Sequence, residues 1–346
     1  DLYELTMAQA YHAEGMTEPA VFELFFRELP SNRNFVVAAG LTDLLDCLEE
    51  LCFTDDDLDY LRGQGDFGEE FLDQLADFRF TGDVIAVPEG TVVFPEEPLV
   101  QVVAPVLEAQ LVETLVLNLV HFQSVLASKA VRIVLAARGR RVVDFGSRRA
   151  QGPDAALKAA RTSYLAGAAG TSNVLAGKQF GIPIFGTMAH SYIQAHGDQL
   201  AAFRAFQETY PETTLLVDTY DTLDGVRQVA QLSRQLGNEF RVRAIRLDSG
   251  DLAALAKDAR QILDEAGLDD VRIVASSGLD EYKLADLLNR GAPIDAFGVG
   301  TKMAIAEGAP ALDFAYKLVQ YADQPRMKLS SEKLLCPGRK QVFRQA

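Results

Sequence analysis

Apolar residues along the chain fall into two rhythms, and the change between them comes near residue 131. Before it, residues 2–13 carry a helical spacing, and residues 20–29 read as a strand in which Val21, Phe22, Leu24, Phe25 and Phe26 crowd together. Between residues 80 and 103, short apolar runs are broken by Pro88-Glu89-Gly90 and Pro95-Glu96-Glu97-Pro98. Proline and glycine at that spacing mark turns and predict a small β-meander. A long helix is predicted after Pro105, a residue suited to a first helical turn. The longest apolar stretch, residues 111–135, is interrupted by Glu113, Asn118, His121, Lys129 and Arg132, so it predicts a buried helix and not a bilayer span.

Beyond residue 131 the runs shorten. Residues 142–146, 182–186, 214–218, 244–248, 272–276 and 296–300 are candidate buried strands, with alanine- and leucine-rich helical stretches such as 251–266 and 280–290 between most of them. Strand alternating with helix predicts a parallel sheet covered on both faces. Periodicity alone does not separate an open, doubly wound sheet from a closed barrel. The polar residues do. Nearly every run ends in an acid, a glycine, a hydroxyl or a basic residue, as in Gly146-Ser147-Arg148-Arg149, Asp218-Thr219-Tyr220-Asp221 and Ser276-Ser277-Gly278. In a barrel all such carboxyl ends meet at one mouth; in an open sheet, strands far from the switch point have little use for them. The expected architecture is an irregular TIM-like α/β barrel over residues 106–319, beside an N-terminal α+β sandwich domain of residues 1–105 joined by 320–346.

Composition narrows the class. Of the 346 residues, 48% are hydrophobic and 24% charged, an ordinary globular balance. Cys47, Cys52 and Cys336 are too few and too irregular for a disulfide framework or a zinc site, which predicts a reducing, cytoplasmic setting. No signal peptide opens the chain, and Asp1 is not expected to be the natural start. The formal net charge of −16 argues against a nucleic-acid partner, and nothing predicts a membrane partner. An anionic substrate would therefore need cations gathered locally, or a metal ion. The acidic run Asp55-Asp56-Asp57 reads as the start of a helix.

Candidate chemistry lies at the strand ends. His190, in Gly186-Thr187-Met188-Ala189-His190-Ser191, is placed to act as base or nucleophile; its bland alternative is a histidine capping a backbone group. His12, His121 and His196 lack that setting and read as structural or surface residues. Arg148 and Arg149 offer guanidinium groups to phosphate or carboxylate, or else form a surface pair. In Arg246-Leu247-Asp248-Ser249-Gly250-Asp251 the arginine and the first aspartate share a strand face. They either contact substrate and Mg²⁺ or make an internal ion pair, with Ser249 or Asp251 capping a helix. Ser277-Gly278 and Gly298-Val299-Gly300-Thr301 are able to present backbone N–H groups to a phosphate.

Taken in order and spacing, these segments closely resemble the nicotinate phosphoribosyltransferases. The match runs from Asp1-Leu2-Tyr3-Glu4-Leu5-Thr6-Met7 to Pro337-Gly338-Arg339-Lys340-Gln341-Val342, and residues 145–154, 186–191, 246–251 and 298–302 are its most specific stretches. The resemblance implies a reaction of nicotinate with 5-phosphoribosyl 1-diphosphate that gives nicotinate mononucleotide and diphosphate in NAD salvage. It also implies ATP as cosubstrate, Mg²⁺ without known protein ligands, and a homodimer with interface active sites. By the same resemblance His190 is phosphorylated by ATP, Phe145 and Arg246 flank the pyridine ring, and Tyr3 reaches in from the other subunit. Gly146, Ser147, Arg148, Ser191, Asp218 and Asp248 fall with the nicotinate and phosphoribosyl site, and Gly278, Gly298, Gly300 and Thr301 with the phosphate. Nicotinamide-using relatives carry an aspartate where this chain has Ser172, and an acid there would repel a carboxylate. The rival expectations are a nicotinamide or quinolinate phosphoribosyltransferase of the same fold, or a non-catalytic nucleotide-binding barrel.

Overall fold

A computed structural model describes residues 1–329 and 336–344. The chain forms two compact units, residues 129–307 being one and residues 1–128 with the described part of 308–346 the other. Strands β1 (Pro19–Phe26), β2 (Val36–Val37), β3 (Asp83–Ala86), β4 (Val92–Val93) and β5 (Val100–Pro105) belong to the first unit. The second unit holds β6 (Arg141–Asp144), β7 (Gly170–Thr171), β8 (Thr214–Leu216), β9 (Ala244–Leu247), β10 (Arg272–Ala275) and β11 (Ala296–Val299). Strands β12 (Phe314–Tyr321) and β13 (Gln324–Pro325) return to the first.

In the first unit an antiparallel sheet runs β13-β12-β1-β5-β3. Strand β1, buried from Ala20 onward and apolar but for Glu23, lies inside that sheet, paired with β12 from Ala20↔Tyr321 to Phe26↔Phe314 and with β5 from Pro19↔Pro105 to Leu24↔Val100. It stops at Phe26, short of the predicted residue 29; Arg27 still donates its N–H to the Asp313 carbonyl, and Pro30 lies just ahead. The predicted meander is not one sheet. Strand β3 pairs with β5, whereas β4 pairs with β2 in a separate two-stranded ribbon. Pro88, Pro95 and Pro98 interrupt the run, and a residue without an N–H cannot donate to a ladder.

The helix after Pro105 comes in two pieces, Val106–Leu111 and Glu113–Ala136, separated at Val112. The second is long and apolar enough to span a bilayer, yet 56% of its most apolar window is buried within the fold. The boundary between units falls inside this helix, not at 105/106, and the later boundary falls at 307/308, not 319/320. Hydrogen bonding explains both. Ser124 and Ser128 hydroxyls accept the N–H groups of Ala39 and Val37, at 3.0 and 2.9 Å, which ties the middle of the helix to the first unit. Strand β12 belongs with β1 along its whole length. Residues 330–335 and 345–346 of the predicted 320–346 addition lie outside the described residues.

The second unit is an α/β barrel. Its parallel strands follow the order β7-β6-β11-β10-β9-β8, and helices such as Thr222–Leu236, Leu252–Glu265 and Glu281–Asn289 alternate with them. Between β7 and β8 the wall is irregular. The predicted strand 182–186 makes a single parallel bridge, Thr171↔Ile184, and the Thr187 hydroxyl donates to the Thr214 carbonyl. Pro183 removes one donor there, so no regular ladder extends. Ile245, Leu247, Phe297 and Val299 are wholly buried in the apolar cluster they share with the helices. The alternate residues Ala244, Arg246, Ala296 and Gly298 line internal space instead. The small residues Ala244, Ala296 and Gly298 leave room there beside Arg246.

A candidate active site at the barrel mouth

The carboxyl ends of the strands supply one cavity of about 1030 Å³. From β6 come Phe145, Ser147, Arg148 and Arg149, from β7 Ser172, and from β9 Arg246 and Asp248. Beyond β10 it is lined by Ser276, Ser277 and Gly278, and at β11 by Gly298, Gly300 and Thr301. Segments spread over more than 150 residues of chain thus share one volume, as a barrel mouth allows and a sequence alone cannot display.

Local chemistry explains how each piece is held. The Phe145 ring lies against β11, where a Cβ on Gly298 would sit 2.4 Å from two of its ring carbons. No residue but glycine leaves that seat open. Residues 147–149 form a single 3₁₀ turn that presents both arginines. Ser277 has φ +86° and Gly278 φ +58°, so the chain turns sharply after β10 and faces the cavity with a bend and not a helix. Thr301 opens a short helix whose first backbone bonds run from Met303 and Ala304 to the Gly300 carbonyl.

Three guanidinium groups against one lining carboxylate make the cavity cationic within an acidic protein. Arg246 is the most confined. Its Nε is buried with no hydrogen-bond partner, and burial pulls its pKa below the usual value while Asp248 and Asp218 oppose the shift. The anticipated internal ion pair with Asp248 is not formed. Asp248 instead accepts the Ser276 hydroxyl, and its own N–H donates to Asp218 Oδ2 at 2.8 Å. Asp218 Oδ2 also accepts the Ser249 hydroxyl at 2.6 Å, leaving Oδ1 buried and unpartnered.

His190 begins the helix His190–His196, one residue beyond the cavity-lining Ala189. Its Nε2 is 3.8 Å from Asp248 Oδ2, and Nδ1 is 3.2 Å from the Thr219 hydroxyl. Thr219 is thus within hydrogen-bond reach of one ring nitrogen while Asp248 lies near the other, and the ring caps no backbone group among the described residues. Ser191 follows it, exposed and off the cavity lining.

Residues 1–121 match the nicotinate phosphoribosyltransferase (NAPRTase) N-terminal domain, and residues 140–322 match the nicotinate phosphoribosyltransferase (NAPRTase) family. The chain belongs to the nicotinate phosphoribosyltransferase family. It is 64% identical over 345 residues to the nicotinate phosphoribosyltransferase pncB2 of Mycobacterium tuberculosis (strain H37Rv), covering 100% of this chain and 74% of that protein. To the nicotinate phosphoribosyltransferase of Bacillus subtilis (strain 168) it is 45% identical, covering 99% and 72%. The human nicotinic acid phosphoribosyltransferase crystal structure superposes with TM-score 0.84 at 34% identity, over 95% of this chain and 76% of that one.

Not every residue singled out for a nicotinate phosphoribosyltransferase joins the cavity. Tyr3 lies on the helix Leu2–Ala13 of the first unit, 44% exposed, its hydroxyl pKa pushed up to about 12 by burial and by Glu113 and Glu4. Gly146 packs behind the wall, where a Cβ would meet Ala304 at 2.6 Å. Asp221 and Asp251 take the bland reading as helix caps, accepting N–H groups of Asp224 and of Ala253 and Ala254. His121 accepts the Leu312 N–H at 3.0 Å, and burial lowers its pKa. The structure adds Phe185, Thr187 and Tyr210 to the lining, which sequence reasoning passed over. Phe185 packs on Gly170, where a Cβ would lie 2.7 Å from its ring and 2.1 Å from the Pro183 carbonyl oxygen, a fit that only the folded chain displays.

Proposed function

We infer that this chain is a nicotinate phosphoribosyltransferase, joining nicotinate to the phosphoribosyl group of 5-phosphoribosyl 1-diphosphate with release of diphosphate. Membership of the family, and 64% identity along the whole of this chain to a curated member, support the activity. The observation that carries the assignment of residues is the unpaired, half-buried Arg246 lining one cavity with Phe145. A guanidinium without a protein partner inside a cavity is a receptor for an anion, and an aromatic face beside it suits a flat ring. In this reading Phe145 and Arg246 hold the pyridine carboxylate, while Ser172 removes the repulsion an acid would impose. Arg148 and the loops at Gly278 and Gly300-Thr301 hold the phosphate.

Displacement at the anomeric carbon builds positive character on the ribose and negative charge on the departing diphosphate, so the site must align the nitrogen nucleophile with the leaving group. The arginines neutralise the leaving group and the loops fix the sugar phosphate. Mg²⁺ fits the same place. Asp218 Oδ1 is buried and unpartnered next to Asp248, and this ion is ordinarily held by one or two carboxylates with phosphates and water. Among the described residues no cluster of three or more His, Cys, Asp or Glu side chains able to hold a metal ion occurs. When bound, Mg²⁺ supplies charge to the diphosphate oxygens.

His190 is the proposed site of phosphorylation by ATP, with Asp248 and Thr219 setting the ring's orientation. Phosphohistidine would favour a tighter-binding state from which hydrolysis drives product release. A homodimer in which Tyr3 of a second copy completes the site, and a cytoplasmic location, belong to the same proposal. Diphosphate release measured with nicotinate, nicotinamide and quinolinate, with and without ATP, tests it. Turnover with nicotinate, raised by ATP, is expected. Preference for either other base, or no turnover with any, would overturn it.

A further inference from the structure

Asp144 closes β6 with its carboxyl wholly enclosed, 1% exposed, directly behind the cavity wall. Among the described residues no cation pairs with it, and burial pushes its pKa up against two hydrogen bonds that pull it down. Those two bonds run to different loops. Oδ1 accepts the Gly146 N–H at 2.8 Å, fixing the turn that carries Phe145, Ser147 and Arg148. Oδ2 accepts the Thr171 hydroxyl at 2.7 Å, and Thr171 Oγ1 in turn accepts the Asn173 N–H at 3.0 Å. The residue between them, Ser172, donates its own N–H to the Asp144 carbonyl oxygen at 2.8 Å. The turn is built tightly around the acid, since a Cβ on Gly146 would lie 2.9 Å from Asp144 Oδ1.

We propose that Asp144 is a positioning residue for the pyridine substrate, acting through Gly146 on one side and Thr171 on the other to set the distance between the Phe145 wall and Ser172. The inference rests on the reading that nicotinate occupies this part of the cavity. A buried carboxyl without a counter-ion is costly, and a barrel needing only to fold would place an apolar side chain at a strand end enclosed in this way. What the acid adds is two directed acceptors, one for each loop, that no apolar residue offers. The loops assigned to phosphate, at residues 276–278 and 300–301, receive no hydrogen bond from its side chain. The turn held by Oδ1 also carries Arg148, so disturbing Asp144 itself reaches both substrates, whereas breaking only its bond to Thr171 should act on the base and spare the phosphoribosyl donor.

The chain Asn173 N–H to Thr171 O–H to Asp144 makes the idea separable from bulk stability. Thr171→Val keeps the shape but cannot donate to the acid. Thr171→Ser keeps the donor. Asp144→Asn keeps one acceptor and faces the hydroxyl with an N–H instead. Steady-state kinetics of all three on the full chain, with thermal melts beside them, form the test. T171V and D144N are expected to raise KM for nicotinate about tenfold, equivalent to about 1.4 kcal/mol, and T171V, which leaves the Gly146 bond in place, is expected to keep KM for 5-phosphoribosyl 1-diphosphate within twofold of the parent. T171S is expected to bring KM for nicotinate back to within about threefold. Unchanged KM for nicotinate in T171V and D144N would overturn the proposal. So would equal losses for both substrates in T171V that follow the melting temperature, or a T171S variant as impaired as T171V. The parent enzyme serves as the separate arm: if it makes no nicotinate mononucleotide, the functional reading itself fails, whatever the variants do.

Discussion

Replacing Arg246 by methionine should destroy activity without weakening the fold, two effects that usually travel together. The guanidinium has a buried, unpartnered Nε and no ion pair among the described residues, so the protein bears the desolvation of a charge that the carboxylates of Asp248 and Asp218 offset only in part. Exchanging a buried ionic group for an apolar one of similar volume is often neutral, or stabilising by about 1–4 kcal/mol. Methionine retains an unbranched stem that can pack against the same neighbours. At roughly 2–4 °C per kcal/mol for a domain of about 150–250 residues, the melting temperature should hold or rise by a few degrees. Catalysis runs the other way. Truncating one partner of a buried, hydrogen-bonded charge pair costs about 2–5 kcal/mol, which is roughly 30- to 5,000-fold in kcat/KM for nicotinate. Diphosphate release with nicotinate varied, together with a thermal melt, measures both. A variant within threefold of the parent in kcat/KM, or one whose activity falls only as its melting temperature collapses, would refute the assignment of Arg246 as the carboxylate receptor.

Other perturbations separate the remaining roles. His190→Ala should abolish stimulation by ATP while leaving ATP-independent turnover measurable; persistent stimulation would remove the histidine from the ATP step. Ser172→Asp should weaken nicotinate about tenfold more than nicotinamide in competition binding, because an acid repels one substrate and accepts a hydrogen bond from the other; equal losses would contradict it. Gly298→Ala puts a Cβ 2.4 Å from the Phe145 ring carbons, so the ring must shift, and KM for nicotinate should rise about tenfold with the helical circular dichroism unchanged. Away from the site, the Glu281 carboxyl is buried beside Lys129 Nζ at 2.6 Å and Arg132 Nε at 3.1 Å. Burial raises its pKa, but these cations outweigh it and hold the group below its usual range. A depressed carboxyl contributes stability above its unfolded pKa and loses it as pH falls through the folded one. Glu281→Gln should therefore melt several degrees below the parent at pH 7, with the gap closing at pH values below about 4.

What could be read in the sequence, and what could not, follows from how local each cause is. The carboxyl ends of β6, β9, β10 and β11 were legible because arginine, aspartate and paired glycines are out of place after apolar runs unless something calls for them. Asp251 and Asp221 show the limit of that logic: the same residue type at the same kind of position caps a helix there, Asp251 pairing with Arg290 as well. Composition cannot separate the two uses, since both require an exposed acceptor at the start of a helix. Residues 182–186 were misjudged for a different reason. Apolar content predicted burial in a sheet, but Pro183 left a single bridge to β7, and a broken wall between β7 and β8 is a property of the barrel's closure that no window of sequence contains. The unit boundaries fall in the same class, set by β12 pairing back to β1 across almost 300 residues and by two serines on a helix that otherwise reads as uniform. Asp144 is the most telling case. It stands inside the motif that carried the resemblance, yet its neighbours Phe145 and Arg148 drew the attention, because a side chain that touches substrate advertises its chemistry while one that holds two loops apart does so only once both loops are in place. The Gly146 N–H is two residues away and the Thr171 hydroxyl is 27. Only the parallel register of β6 and β7, Asp144 beside Thr171, brings them to one carboxyl.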